Sequence, residues 1–448
     1  MDLLTEYIIL FAIYIIIVVA IGIISSRKES SEDFMIAKRK VQGLQLAATM
    51  SAGFFDGSTI AVYIAYVYLF GFSAIWMFIG LAIGFTIFTR YAPIIKKRAD
   101  KIKAYTMPEY FYKTFGKKNG IMFSIILLLE FFLLLIVNLI VSGKVLSLIF
   151  PIPYYVAVII GGIIVLSYLL LAGFKAVVKT DFFQVMIMFL MAGGVTILLL
   201  NKTTAIPSSE FNMFAMGFGN IIGWLVLTTF GIMVAPDMWQ RIFATKDQKN
   251  LKKGLLYGAI ILFLLGILMV TLGLITKQSF PNILPEDALV MGFTHLLPAV
   301  FIPIAMVLLY AVTLSSSDTI TFVVSSIMTR DLKNYTKKYS RSSMKLLTRF
   351  FMVLFIALAI IISIFYQKIF AVGFAMASIN LALFPVVFGS LFWKLERRAV
   401  FWSLVLALAS IIIVFFTVSM NPQTAIICLP VAAITLFVLQ KLMKRKRR

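Results

Sequence analysis

The chain is patterned as long apolar runs separated by short polar loops. Thirteen such runs lie near 4–26, 44–70, 73–95, 119–149, 152–173, 176–200, 214–236, 253–276, 298–328, 348–366, 369–392, 399–419 and 423–441. Each has the roughly 20 residues that a helix needs to cross the hydrocarbon core of a bilayer. The second run, LQLAATMSAGFFDGSTIAVYIAYVYLF, has a fault at its centre: Gly53, Asp56 and Gly57 stand where such a helix should be most apolar. A charge at mid-depth costs at least ~3 kcal/mol on insertion scales, and glycines make unwinding cheap. Unwound backbone survives in lipid only where it lines a cavity or an ion, and broken helices in transporters use freed carbonyls to hold a cation. The run is therefore expected to be an interrupted helix at a cation site. The plainer alternative is a glycine-rich packing face with a buried, paired Asp.

The loops alternate in charge. One set carries RKESSEDFMIAKRK, KKRADKIK with KTFGKKNG, Lys175, RIFATKDQKNLKKG, RDLKNYTKKYSRSSMK, KLERR and KLMKRKRR; the other carries MDLLTEY, FPIPYY, NKTTAIPSSE, TKQSFPNILPED and NPQT. By the excess of Lys and Arg in cytoplasmic loops, the N-terminus is expected outside and the C-terminus in the cytoplasm of a multi-pass protein of the cell (inner) membrane. The whole chain reads as one transmembrane domain. It opens with an extra helix and cytoplasmic loop (1–43) and ends with two helices and a basic tail (393–448). Between them, 44–200 and 214–392 read as two five-helix units, and an odd number of spans per unit gives the opposite orientations of an inverted repeat. Each unit is expected to open with an interrupted helix, at Gly53 to Gly57 and within GFGNIIGWLVLTTFG (217–231). The first run lacks a cleavage site and should remain a span, and the stretch after 441 is too short for a soluble domain.

Composition agrees: 62% of the residues are hydrophobic, where a soluble domain is nearer half. The net charge of +23 sits in the loops, so it marks orientation and contact with the lipid bilayer and not a nucleic-acid surface. A single cysteine, Cys428, and a single histidine, His295, leave no disulfide framework and no histidine metal centre. No nucleophile and base pair is visible, so an enzyme is not expected.

Four acids fall inside the spans: Asp56, Glu130, Asp181 and Asp318. Ionisable groups at such depth are functional candidates. In AVTLSSSDT (311–319), Ser315, Ser316, Asp318 and Thr319 offer four oxygen groups in five residues, the kind of donor set that hard cations take. Alternatively, the hydroxyls bond back to their own helix. Asp181 could serve an ion or act as a helix N-terminal acid near Lys175 and Lys179. Glu130, alone in IILLLEFFLLLIVN, could attract an ammonium group, bind a proton, pair with another helix, or sit buried and protonated.

SEDFMIAKRK (31–40), MSAGFFDGS (50–58), YTMPEYFYKTFG (105–116), AGFKAVVKTDFFQ (172–184), PDMWQRIFATKD (236–247) and LSSSDTITFVVSSIMTRDL (314–332) resemble, in order, the motifs of the sodium/solute symporter family, the group of proline, pantothenate, sugar and sialic acid carriers. The resemblance implies an all-α fold of the leucine-transporter type, a five-plus-five inverted repeat with one helix before it and two after. It implies a sodium ion, as co-transported partner, held by the carbonyls of Phe54, Gly57 and Val312 and the hydroxyls of Ser315 and Ser316. A second sodium site of some members would fall on Asp181, Ser315, Asp318 and Thr319. The substrate would lie by Asp56, Ser58 and Thr59 and by Thr228, Thr229 and Gly231. Ile232 stands where many members have an aromatic inner gate. Glu130 lies near the depth at which sialic acid carriers hold a carboxylate with a basic residue, which favours an amine-bearing solute such as an amino acid.

The expected function is sodium-driven import of a small solute by alternating access, working as a monomer. The rival readings are proton coupling, a sugar or monocarboxylate as cargo, and a membrane sensor or channel.

Overall fold

A computed structural model describes residues 3–26, 39–200, 206–336, 341–367 and 369–445. The entry motif 31–40 lies almost wholly outside them. Among the described residues the regular structure is helical: α1 (Leu3–Ser26), α2 (Gly43–Phe54), α3 (Gly57–Phe70), α4 (Trp76–Ile102), α5 (Met107–Phe115), α6 (Lys117–Ile149), α7 (Tyr154–Leu200), α8 (Gly217–Val234), α9 (Pro236–Ala244), α10 (Gln248–Ser279), α11 (Ala288–His295), α12 (Ile302–Thr336), α13 (Arg341–Phe365), α14 (Ile369–Leu381), α15 (Phe384–Phe392), α16 (Arg397–Thr417), α17 (Pro422–Ala425) and α18 (Cys428–Arg445). Among the described residues ten stretches are long and apolar enough to cross a membrane, and Thr5–Ile21 is a shorter apolar helix.

The runs predicted at 44–70 and 73–95 part where expected: α3 ends at Phe70, Gly71 turns the chain at φ 60°, and the 3-10 turn Gly71–Ile75 leads into α4. The runs at 152–173 and 176–200 do not part, because α7 continues through the expected loop at Lys175. No proline interrupts that segment, so its backbone ladder is not forced open. At ~1.5 Å per residue α7 measures ~70 Å, more than one crossing of a core ~30 Å thick requires.

The fault in the second run is real. α2 stops at Phe54, Phe55 leaves the helical region (φ −93°, ψ 58°), and Asp56 is extended (φ −90°, ψ 169°). Asp56 then caps α3, its carboxylate accepting from the Thr59 N–H at 2.5 Å. The last turn of α2 is left with carbonyls that have no partner in their own helix.

The expected interruption inside 217–231 is overturned. α8 is continuous across those glycines and ends only at Ala235, before Pro236, whose missing N–H and fixed φ end a helix. The glycines instead permit close packing. A Cβ on Gly223 would strike the Pro422 carbonyl, and on the facing α4 a Cβ on Gly84 would meet the Thr229 carbonyl at 2.7 Å.

Around the break the packing is tight. α2 lies against α7, α9, α10 and α12, while α3 touches α6, α10, α12 and α14. At the end where the basic loops gather, residues from distant segments lock together. Val41 pairs in parallel with Thr245. Arg330 forks onto Glu109 at 2.8 and 3.0 Å, Lys113 adds a contact at 2.9 Å, and the Arg330 guanidinium lies 4.2 Å over the Tyr105 ring. Burial alone would raise the Glu109 carboxyl, but Arg330 and Lys113 outweigh it and hold it below its ordinary 4.5. Its stabilising contribution is thus complete above the unfolded-state value and fades as the pH falls through the lower folded one. Glu109→Gln should cost ~3 kcal/mol at neutral pH by stranding Arg330. It should also flatten the acid limb of melting temperature against pH; an unchanged limb would show the pair to be energetically idle.

Candidate functional site

The break opens on a central cavity of about 180 Å³. Gly53, Phe54, Asp56 and Thr59 line it from α2 and α3, Glu130 from α6, Thr228, Gly231 and Ile232 from α8, Ser316 and Thr319 from α12, and Asn380 from α14. Five of the expected substrate residues therefore share one wall system: Asp56, Thr59, Glu130, Thr228 and Gly231. Thr229 faces elsewhere and donates to the Gly80 carbonyl at 3.0 Å. The side chains of Ser58 and Ser315 lie outside the described residues.

α3 and α12 touch where the ion was expected. A Cβ on Gly57 would meet Thr313 Cβ at 2.8 Å and Thr313 Cα at 3.0 Å. Only glycine lets the start of α3 press onto α12 there. The carbonyl-bearing turn thus lies against α12 at Thr313, one residue from Val312 and three from Ser316 in the chain. Ser316 is 1% exposed and its hydroxyl oxygen has no hydrogen-bond partner. The plainer reading, a hydroxyl spent on its own helix, fits Thr313, which donates to the Tyr310 carbonyl at 2.8 Å, but not Ser316.

Asp318 and Asp181 lie further along. Asp318 accepts from Tyr168 Oη at 2.8 Å and Thr180 Oγ1 at 3.4 Å, and its other oxygen, Oδ1, has no partner. Asp181 accepts from the Thr49 hydroxyl and from Arg241 Nη2 at 3.2 Å; its Oδ1 likewise has none. So Asp181 is neither simply a helix-terminal acid near Lys179 nor open to an ion on all sides. The side chain of Lys175 is not described.

Arg241 was not among the expected site residues. It is fully buried and holds Asp237 at 2.7 Å, Asp181 at 3.2 Å, Thr49 Oγ1 at 3.0 Å and Thr319 Oγ1 at 3.4 Å. Asp237 also lines the cavity. Both come from PDMWQR, which reads as the start of a basic loop. The signal that could have exposed them is their spacing, an Asp four residues before an Arg on a short helix.

Toward the N-terminal end of α8 the cavity meets an aromatic cluster. Trp224 packs edge-on to Tyr66 (5.3 Å between ring centres) and against Phe374 (5.4 Å). Ile232, on the same helix, lines the cavity and is fully buried.

The comparisons with known proteins agree with this architecture. The chain is 24% identical over 436 residues to a sodium/pantothenate symporter of Haemophilus influenzae, covering 90% of this chain and 88% of that one. It is 23% identical over 449 residues to an osmoregulated proline transporter of Bacillus subtilis (94% and 91%), and 26% over 424 residues to a sodium/proline symporter of Staphylococcus aureus (87% and 82%). Its fold is that of a substrate-bound, outward-open Na+-coupled sialic acid symporter, with a TM-score of 0.85 at 15% identity over 98% of this chain and 97% of that one. A second solved structure, MhsT in complex with L-phenylalanine, aligns at a TM-score of 0.59 and 14% identity over 89% of this chain and 97% of that one. Residues 34–407 match the family model of the sodium:solute symporter family, and the chain belongs to that family.

Proposed function

We propose that the protein is a sodium-coupled secondary active symporter that imports a small amine-bearing organic solute by alternating access. One observation carries the reading: the unwound turn at Phe55 and Asp56 is pressed onto α12 and opens on the central cavity. Sodium would take the carbonyls of Phe54, Gly57 and Val312 and the hydroxyls of Ser315 and Ser316. The unpartnered Ser316 oxygen supports it, because a buried hydroxyl without a partner is costly. The unpartnered oxygens of Asp181 and Asp318 support a second site that also uses Thr319 and Ser315. Sodium would order the broken segment and so raise solute affinity, and the coupling is reciprocal. Inward movement down the membrane potential supplies ~2.3 kcal/mol per charge per 100 mV.

The reading includes thirteen crossings, which requires the chain to reverse within α7, in an inverted five-plus-five repeat with the N-terminus outside, in a protein active as a monomer. The solute would be contacted by Asp56, Thr59, Glu130, Thr228 and Gly231, with Ser58 beside them.

Replacing Ser315 and Ser316 together with Ala should raise the sodium concentration for half-maximal uptake about tenfold or more, the effect of losing ~1.5 kcal/mol of ligand. A sodium titration of uptake in proteoliposomes checks this. Unchanged sodium dependence would remove the site. Glu130, with an unpartnered oxygen on the cavity wall, favours a second reading in which a proton is the coupling ion. Uptake that follows an imposed pH gradient in sodium-free medium would establish it.

A further inference from the structure

We infer that the solute is a small organic cation with an apolar body and no carboxylate: a monoamine, and not an amino acid. The inference narrows the symporter reading above and rests on it.

The first argument is that the natural seat for a solute carboxylate is taken. The N-terminus of the second half of a broken helix is where transporters of this type receive an anionic group. In this chain that terminus is served by Asp56, whose Oδ1 accepts from the Thr59 N–H at 2.5 Å. Asp56 is 2% exposed, and its other oxygen lies 3.5 Å from Asn138 Nδ2. The protein supplies its own anion.

The second argument is that the remaining wall asks for a donor. Glu130 is 3% exposed, lines the cavity, and its Oε2 has no hydrogen-bond partner. A buried carboxyl oxygen in that condition is satisfied by an N–H or O–H brought by a ligand. Asp237 adds a further acid to the same wall.

The third argument is that nothing stands ready to hold a carboxylate. Among the described residues no Lys, Arg or His side chain lines the cavity. The nearby guanidinium, Arg241, is occupied: Nε holds Thr49, Nη1 holds Asp237, and Nη2 holds Asp181 and Thr319. It has no free fork for the bidentate grip by which Arg binds carboxylates. An amino acid would bring a further negative group among Asp56, Glu130 and Asp237 without a donor to meet it, and such repulsion is how a site rejects a near-analogue. Elsewhere the wall is apolar and aromatic, with Trp224 and Phe374 in contact across it. Ring faces of this kind attract ammonium groups, and about 180 Å³ holds a ring and a short chain.

The test is a thermal-shift and competition assay on the purified full chain in sodium chloride, with matched sets of compounds. Phenethylamine, phenylalanine and 3-phenylpropanoate share one body and differ in head group; pyrrolidine and proline form a smaller pair. The amines should raise the melting temperature, and the amino acids and the acid should bind at least tenfold more weakly. Glu130→Gln, which keeps the side-chain volume, should lose at least tenfold in amine affinity while melting near the native temperature without ligand. Three results would overturn the inference: phenylalanine or proline binding as well as its amine, amine affinity unchanged in Glu130→Gln, or no stabilisation by either amine. The shift given by sodium over potassium in the absence of solute reports separately on the coupling ion. Its absence would defeat the sodium reading while leaving the amine result to stand on its own.

Discussion

Arg241→Gln is expected to abolish sodium-driven uptake, a loss of ~100-fold or more, and to lower stability markedly. The guanidinium is fully buried and its partners come from four helices: Thr49 on α2, Asp181 on α7, Asp237 on α9 and Thr319 on α12. Glutamine cannot reach both acids and brings no charge. Removing one member of a buried ion pair costs ~3–5 kcal/mol because the remaining charge is stranded, and here two carboxylates are stranded at once. The loss falls beneath the cavity, where Asp237 and Thr319 are wall residues, so the solute site and the proposed ion ligands lose their common anchor. Adding Asp237→Asn to Arg241→Gln should recover part of the stability without recovering transport. Melting temperature with proteoliposome uptake on the same preparations checks both halves. Native uptake in Arg241→Gln would mean that the cluster does not hold the site together.

The second large effect is expected at Gly57. An alanine Cβ would sit 2.8 Å from Thr313 Cβ and 3.0 Å from Thr313 Cα, with Thr313 Cγ2 closer still. The Cα belongs to the backbone of α12, so a rotamer change cannot relieve the contact and the two helices must part. Overpacking of this kind costs ~1–3 kcal/mol, which the fold can survive. The coupling should not survive it, because the proposed ion ligands lie on both sides of this contact. Gly57→Ala should therefore remain folded in the membrane, bind solute weakly, and no longer respond to sodium. Adding Thr313→Ala removes the nearest clashing atom and should restore part of the sodium response. A sodium titration of solute binding decides the matter, and a native titration in Gly57→Ala would separate the α3 and α12 contact from ion binding.

How much of this was legible in the sequence depended on whether a residue violated its surroundings. Asp56 between glycines in an apolar run announced the break, and the hydroxyl run at 313–319 announced its partner. Both are errors against the bilayer, and such errors are informative. The second interruption was misplaced because glycines draw attention in any helix, whereas in α8 they allow close packing and Pro236 ends the element. The expected loop at Lys175 rested on one charge, which does not compel a backbone to leave its helix. Asp237 and Arg241 were missed for the opposite reason. They sit beside a truly basic loop, and their burial depends on α2, α7 and α12 closing over them from far along the chain. Thr229 illustrates the limit of helical phasing: adjacent to Thr228, it turns about 100° round the helix and spends its hydroxyl on α4.

The Val41 to Thr245 pairing joins main chain to main chain, with the Val41 N–H on the Ala244 carbonyl at 3.1 Å and the Lys246 N–H on the Val41 carbonyl at 3.0 Å. One strand of this clasp leads directly into α2 and the other emerges directly from α9. The helices α2 and α9 are thereby hitched at their shared end, and a swing of either one draws the other along. Any cycle that exposes the cavity toward that end has to carry both as a single lever or unfasten two backbone hydrogen bonds on the way.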